Sequence, residues 1–113
     1  MASEAAARVR VSPEVVDALA HRGEYFSVLQ ETERTQAAVM TLGPGEDAGP
    51  EEQHPGDQII YVLEGEAIVR IADREHRAGP GTLVTIPART RHHVTNPGRG
   101  PLFFITIYAP PAY

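Results

Sequence analysis

The stretch Glu51-Glu52-Gln53-His54-Pro55-Gly56-Asp57-Gln58 concentrates more groups able to hold a metal than any other part of the chain. Glu52 and His54 are two residues apart, and side chains two apart on a strand point to the same face. The apolar run that follows at residues 59–63 is rich in β-branched residues and predicts a strand that begins at Gln58. The stretch therefore predicts a strand entrance that carries several potential ligands.

A second β-rich run, at residues 82–86, precedes two adjacent histidines, His92 and His93. Neighbouring residues on a strand face opposite sides of the sheet, so only one of the two rings can point inward. If the strands close into one small barrel, four side chains from these two regions can converge inside it. They are Glu52, His54, Gln58 and His92.

Short extended runs separated by Gly, Pro and Asn turns fill the chain from residue 25 onward, a pattern typical of a β-barrel or sandwich. Before them, Ser12-Pro13-Glu14 is a typical helix start, and it predicts one short helix over residues 13–21. We therefore expect an N-terminal segment with a short helix at residues 1–24 and a β-barrel domain at 25–113. The predicted strands are residues 25–30, 35–42, 51–54, 58–63, 66–71, 75–77, 82–86, 92–95 and 102–108.

Composition excludes several classes of function. The 113 residues suit one domain, and with a net charge of −5 and no basic cluster we expect no binding to nucleic acid. The chain has no Cys, which excludes thiolate nucleophiles, and all ten basic residues are Arg, which excludes a Schiff-base lysine. No apolar run approaches the ~20 residues of a membrane span, and residues 1–10 lack the apolar core of a signal peptide. We expect a cytoplasmic protein that does not bind membranes.

The spacing of several residues resembles the second sequence motif of the cupin superfamily, G-x5-P-x-G-x2-H-x3-N. Gly81, Pro87, His92 and Asn96 stand at the matching positions, and Arg89 stands where the motif has a glycine. Because the motif contains one histidine at this point, the resemblance selects His92 as the inward ring of the adjacent pair.

The first cupin motif, G-x5-H-x-H-x3-4-E-x6-G, is matched by His54 and Gly65. Glu52 stands at the position of its first His, and Gln58 stands at the position of its Glu. The resemblance covers about residues 35–108 and is to the small single-domain cupins.

This resemblance implies an all-β fold, a cupin-type jelly-roll β-barrel with one short N-terminal helix. It also implies that His54 and His92 are metal ligands, with Glu52 and Gln58 in the two remaining ligand positions. Such a set of nitrogen and oxygen donors suits one divalent transition metal: Mn, Fe, Ni, Co or Zn. The usual cupin set of three His and one Glu has the same single negative charge. In this chain the carboxylate would therefore stand at a different ligand position, with the total charge of the set unchanged.

Strand alternation extends the prediction to the walls of a cavity. If Gln58 and His92 point inward, so do the residues two positions further along their strands. The interior inferred in this way is mostly apolar, which favours a small, partly apolar organic ligand over a phosphorylated sugar. The predicted cavity residues are Gln36, Met40, Ile60, Val94, Phe104 and Tyr108.

Three functions are compatible with these residues. The first is a metal-dependent enzyme of oxygenase, isomerase or lyase type that acts on a small organic molecule. The second is a non-enzymatic barrel that binds or senses a small molecule. The third is a metal-free catalyst in which Glu52 and His92 act as an acid–base pair. In each case we expect a homodimer, because so short a chain offers a limited core.

Overall fold

The computed structural model describes residues 14–113, in which eight β strands and a single 3-10 turn are present. It confirms the predicted all-β class. The predicted strand at 51–54 is the exception, since this segment contributes only one isolated bridge, at Glu52. The strands are β1 (Phe26–Glu31), β2 (Gln36–Leu42), β3 (Asp57–Glu64), β4 (Ala67–Ile71), β5 (Arg74–Ala78), β6 (Leu83–Ile86), β7 (His92–Thr95) and β8 (Leu102–Ala109).

The strands form two antiparallel sheets that face each other. The larger sheet has the order β1-β2-β8-β3-β6 and the smaller one β5-β4-β7. Burial alternates along β3, with Gln58, Ile60 and Val62 buried while Ile59 and Tyr61 are exposed. This period of two places one face of each strand in the space between the sheets, as in a jelly roll. The main core lies there and includes Met40, Leu42, Ile60, Val62, Val69, Val84, Ile86, Val94, Leu102 and Phe104.

A second, smaller apolar cluster lies on the outer face of the larger sheet. Leu29, Val39 and Phe103 form it, and the N-terminal segment covers it with Val16 and Ala18. The apolar residues of this segment therefore pack on the sheet just before and at the start of a single 3-10 turn. This packing stabilises the segment without requiring it to be helical.

The helix predicted at residues 13–21 is accordingly shorter than expected. In the described part it is one 3-10 turn at Ala18–His21, where the Asp17 carboxylate accepts a hydrogen bond from the Leu19 amide. Ser12 and Pro13, on which the predicted helix start depended, lie outside the described residues. Between residues 14 and 113, no helix has the length and apolar character needed to cross a membrane.

The loop between β2 and β3 extends the smaller sheet. It runs beside β7 and pairs with it through two isolated bridges, Asp47 with Thr95 and Glu52 with His92. The buried Asn96 side chain, which matches the last position of the second cupin motif, donates hydrogen bonds to the carbonyls of Leu42 and Gly100. Asn96 thus fixes the start of this loop and the turn after β7 in one place, and the loop carries Glu52 to the mouth of the barrel.

The turn between β3 and β4 generates a prediction about stability. Gly65 has a φ of 84°, and a Cβ built on it would lie 2.3 Å from the Pro101 carbonyl oxygen. We expect Gly65→Ala to lower the free energy of unfolding by about 2 kcal/mol or more, because backbone strain and a backbone clash act together. Urea denaturation measures this change. A Cβ at Gly79 would meet no atom within 4 Å, so Gly79→Ala is the control. An equal loss in both variants would contradict this explanation.

Candidate metal and ligand site

The site begins with a backbone contact between Glu52 and His92. The Glu52 amide donates to the His92 carbonyl at 3.0 Å, and the His92 amide donates to the Glu52 carbonyl at 2.8 Å. Two residues that exchange both hydrogen bonds lie directly opposite each other in an antiparallel pair, with Cα atoms roughly 5.5 Å apart. The two residues are 40 positions apart in the sequence, yet this pairing makes them nearest neighbours.

The His92 ring is buried, with 5% of the residue exposed. Its Nδ1 lies 3.0 Å from the Thr90 carbonyl oxygen, an atom that can only accept a hydrogen bond. Nδ1 therefore carries a proton, and in the neutral ring the lone pair lies on Nε2. A histidine whose second nitrogen is held by a carbonyl is the arrangement that metal ligands generally show.

Gln58 enters the site from the opposite sheet. Its side chain is buried, and its Nε2 donates to Thr106 Oγ1 at 3.0 Å across the β3–β8 pair. The other end of the amide, Oε1, is buried and has no hydrogen-bond partner. A buried carbonyl oxygen without a partner is costly, and a metal or ligand donor at this point would remove the cost.

His54 lies in the loop that leads into β3. Its carbonyl accepts a hydrogen bond of 2.6 Å from the Arg89 amide, and its ring lies 5.2 Å from the His92 ring between centroids. Like Gln58 Oε1, His54 Nε2 is buried and has no hydrogen-bond partner. The prediction that strand alternation would orient His54 is wrong, since residues 53 and 54 are not in a strand. The loop and the Arg89 contact position it instead.

Burial is the largest influence on the His54 ring and lowers its pKa below the usual value of 6.5. The nearby His92 lowers the pKa further, and the Glu52 carboxylate opposes both effects. The neutral ring is therefore favoured in the folded protein. Neutral imidazole is also the form that binds a metal.

Glu52 differs from the other three residues because its carboxylate already has a partner. The Tyr113 hydroxyl lies 3.0 Å from both carboxylate oxygens. Burial, followed by the neighbouring Tyr108, raises the pKa of Tyr113, so the phenol stays protonated and donates. Residues 14–113, the part of the chain that the structure describes, contain no cluster of three or more acidic or histidine side chains arranged to hold a metal.

A cavity of about 240 Å³ opens beside these groups. This is smaller than the roughly 300–1,000 Å³ of pockets for drug-sized molecules, so it suits a small ligand. Of the predicted cavity residues, Met40, Val94, Phe104 and Tyr108 line it, whereas Gln36 and Ile60 lie outside the lining. The lining residues are Tyr25, Phe26, Met40, Ala48, Gly49, Pro50, Glu52, Gln58, His92, His93, Val94, Phe104, Tyr108 and Tyr113.

The two predicted cavity residues outside the lining have other roles. Ile60 is fully buried in the main core. The Gln36 side chain is also buried, and it donates to the Tyr113 carbonyl at 2.6 Å and accepts from the Tyr113 amide at 3.1 Å. Gln36 therefore fixes the backbone of the residue whose phenol contacts Glu52. Sequence reasoning did not identify Tyr113, because no strand parity or motif spacing marks it.

Arginines do not contribute to the cavity wall in the described part of the chain. Arg70 pairs with Glu51 at 3.1 Å, and Arg91 lies 3.8 Å from the same carboxylate. The Nε2 atom of His93 lies 3.5 Å from a carboxylate oxygen of Asp47. The charged group at the cavity is therefore the Glu52 carboxylate, and this environment is unfavourable for a phosphorylated ligand.

Comparison with known proteins agrees with the fold and the motif spacing. The Cupin domain family matches residues 38–108, so the chain belongs to the cupin family. A curated relative, Uncharacterized protein YrkC of Bacillus subtilis (strain 168), is 35% identical over 82 residues, which are 67% of this chain and 44% of the relative. The chain thus spans less than half the length of that relative.

Two solved structures are similar over most of the chain. BH2720 of Bacillus halodurans is 31% identical with a TM-score of 0.81, and the match covers 90% of this chain and 84% of that one. TT1209 of Thermus thermophilus is 28% identical with a TM-score of 0.76, and the match covers 87% and 98% of the two chains. These similarities establish the barrel, while the chemistry must be argued from the site.

The lowered pKa of His54 makes stability depend on pH. Its unfolded-state pKa is near 6.5, so on acidification the unfolded chain takes up the proton first, and stability falls as pH drops below about 6.5. In chelator-treated protein we expect the loss of unfolding free energy between about pH 7 and pH 5 to be smaller in His54→Gln than in the wild type. The exposed His76 provides the control variant, His76→Gln. Identical pH dependence in His54→Gln and the wild type would show that His54 is not responsible.

Proposed function

We propose that this cupin binds one divalent transition metal through Glu52, His54, Gln58 and His92, and that it binds a small organic molecule in the adjoining cavity. The observation that carries the proposal is the pair of buried atoms without partners, His54 Nε2 and Gln58 Oε1. Both lie at one mouth of the barrel, where His92 Nε2 also keeps a free lone pair. A buried polar atom without a partner calls for an explanation, and a metal ion bound by both atoms would supply one.

The donor set fits a metal of the Mn, Fe, Ni, Co or Zn group. When bound, such an ion supplies Lewis-acid polarisation of a coordinated oxygen. The chain's own residues do the remaining work. Thr90 and Thr106 orient the side chains of His92 and Gln58, so that His92 Nε2 and Gln58 Oε1 are available to the metal. The aromatic residues that line the cavity exclude water and favour a partly apolar ligand. A metal-dependent enzyme with such a ligand as substrate is the activity that this arrangement supports best.

A metal-free acid–base pair of Glu52 and His92 has less support. Within the described residues, the Glu52 carboxylate hydrogen bonds to Tyr113 and the Nδ1 atom of His92 lies against Thr90. The two residues meet through their backbones, and their side chains are not hydrogen bonded to each other. A general base needs its proton donor within hydrogen-bond reach.

We also propose a homodimer formed through the outer face of the larger sheet. Where the N-terminal segment does not cover it, this face exposes Ile59, Tyr61 and Leu83, and Leu83 is 67% exposed. Tyr61 and Leu83 are direct partners across the β3–β6 pair, so their side chains form one patch. A contiguous apolar patch on a sheet is a typical association surface.

The metal proposal is tested by the two adjacent histidines. After reconstitution with Mn, Fe, Ni, Co or Zn and removal of free ion, we expect about one metal per chain in the wild type, measured by plasma mass spectrometry. His92→Ala should lose most of it, because the ring is a ligand. His93→Ala should retain it, because that ring faces Asp47. Equal retention in both variants, or no metal in the wild type, would overturn the assignment.

The dimer proposal is tested by charge at the patch. Leu83→Arg places a cation in the proposed apolar interface, so the molar mass from light scattering should fall from that of two chains to that of one. Leu19→Arg changes an exposed leucine in the N-terminal segment and should leave the mass unchanged. A wild type with the mass of one chain would refute the proposal directly.

A further inference from the structure

We infer that Tyr113 sets the affinity of the site: its phenol lies against both oxygens of the Glu52 carboxylate, and a metal that both oxygens chelate must displace it. The inference rests on the proposed metal site. It adds a residue that belongs to neither cupin motif and that acts on the site by competition.

The position of the hydroxyl is the first observation. It lies 3.0 Å from Oε1 and 3.0 Å from Oε2 of Glu52, and therefore equally close to both oxygens. A cation held by both oxygens of a carboxylate takes this same central position. The phenol and a chelated cation cannot occupy it together.

The second observation is that the phenol is held firmly in this place. Its ring makes edge-to-face contacts with Phe26, His54 and Tyr108, with centroid distances of 5.3, 5.6 and 5.3 Å. Gln36 clamps its backbone at both the amide and the carbonyl. These contacts hold the phenol against Glu52 before any ligand binds. A metal that competes for Glu52 must therefore break a preorganised, charge-assisted hydrogen bond.

The third observation is that displacement is sterically possible. Tyr113 is 54% exposed, so its ring can turn toward solvent without opening the core. The ring also borders the cavity together with Glu52 and Gln58. Movement of Tyr113 would therefore free the carboxylate and widen the cavity in one step.

Tyr113→Phe tests the competition with minimal disturbance. It keeps the ring and its aromatic contacts and removes only the hydroxyl that contacts Glu52. We expect Zn²⁺ to bind roughly tenfold more tightly to this variant than to the wild type, because a charge-assisted hydrogen bond no longer has to be broken. Isothermal titration of chelator-treated protein with Zn²⁺ measures the dissociation constants. Tyr61→Phe removes a hydroxyl on the outer face of the larger sheet, outside the cavity lining, and should bind Zn²⁺ as the wild type does.

A second readout follows the phenol itself. The chain has four Tyr and no Trp, so its emission comes from tyrosine. A carboxylate that accepts a hydrogen bond from a phenol quenches its fluorescence, so Zn²⁺ should raise tyrosine emission in the wild type and in Tyr61→Phe. Tyr113→Phe should lack most of this increase. A purely structural role for Tyr113 would not remove a zinc-dependent change in emission.

The outcomes separate this inference from the proposed metal site. Equal Zn²⁺ affinity in the wild type and Tyr113→Phe overturns the competition while the metal site stands. Weaker binding by Tyr113→Phe also overturns it, because the phenol would then assist the metal. No Zn²⁺ binding by any of the three proteins overturns both the inference and the metal site.

Discussion

The pair of backbone hydrogen bonds between Glu52 and His92 is the contact on which the site depends. It joins the loop after β2 to the free edge of β7, and thereby brings the first cupin motif against the second. Without it, Glu52 would lose its direct register with His92, although the Asp47–Thr95 bridge and the contact between Arg89 and His54 would still hold the loop near the barrel. The pairing is local in space but distant in sequence, so only the closed barrel can supply it.

The site also requires that the two sheets face each other. Gln58 belongs to the larger sheet and His92 to the smaller one, and the apolar core between them sets their separation. One hydrogen bond then orients each of these side chains. Gln58 Nε2 donates to the Thr106 hydroxyl, and His92 Nδ1 donates to the Thr90 carbonyl. The orientation of these two side chains is thus built into the strand pairing. Preorganisation of this kind lowers the cost of binding.

The sequence was sufficient for the fold and for part of the site. Alternation along β3 correctly placed Gln58 and Ile60 on the buried face, and the spacing of Gly81, Pro87, His92 and Asn96 identified the family. The positive φ of Arg89, 60°, explains why the motif has a glycine there. These features depend on residues that are close together in the sequence, so a single sequence reveals them.

What the sequence did not reveal depends on long-range contacts. Glu52 is placed by a bridge to a distant strand, and the 51–54 segment never becomes the strand that its alternation predicted. Gln36 has the parity of a cavity residue, yet its amide is used to clamp Tyr113. Tyr113 lies 61 positions from Glu52, and no local pattern links the two. Contacts between residues so far apart in the sequence can be identified only in the folded structure.

The most direct test of the central claim is an anomalous difference map from crystals of the Zn²⁺-loaded protein, with data collected at the zinc absorption edge. We expect one strong peak at the barrel mouth, about 2.0–2.1 Å from Nε2 of both His54 and His92 and about 2.0–2.2 Å from the two Glu52 oxygens. Gln58 Oε1 should point at the same peak. A map with no peak there, or with its main peak between His93 and Asp47, would contradict the account.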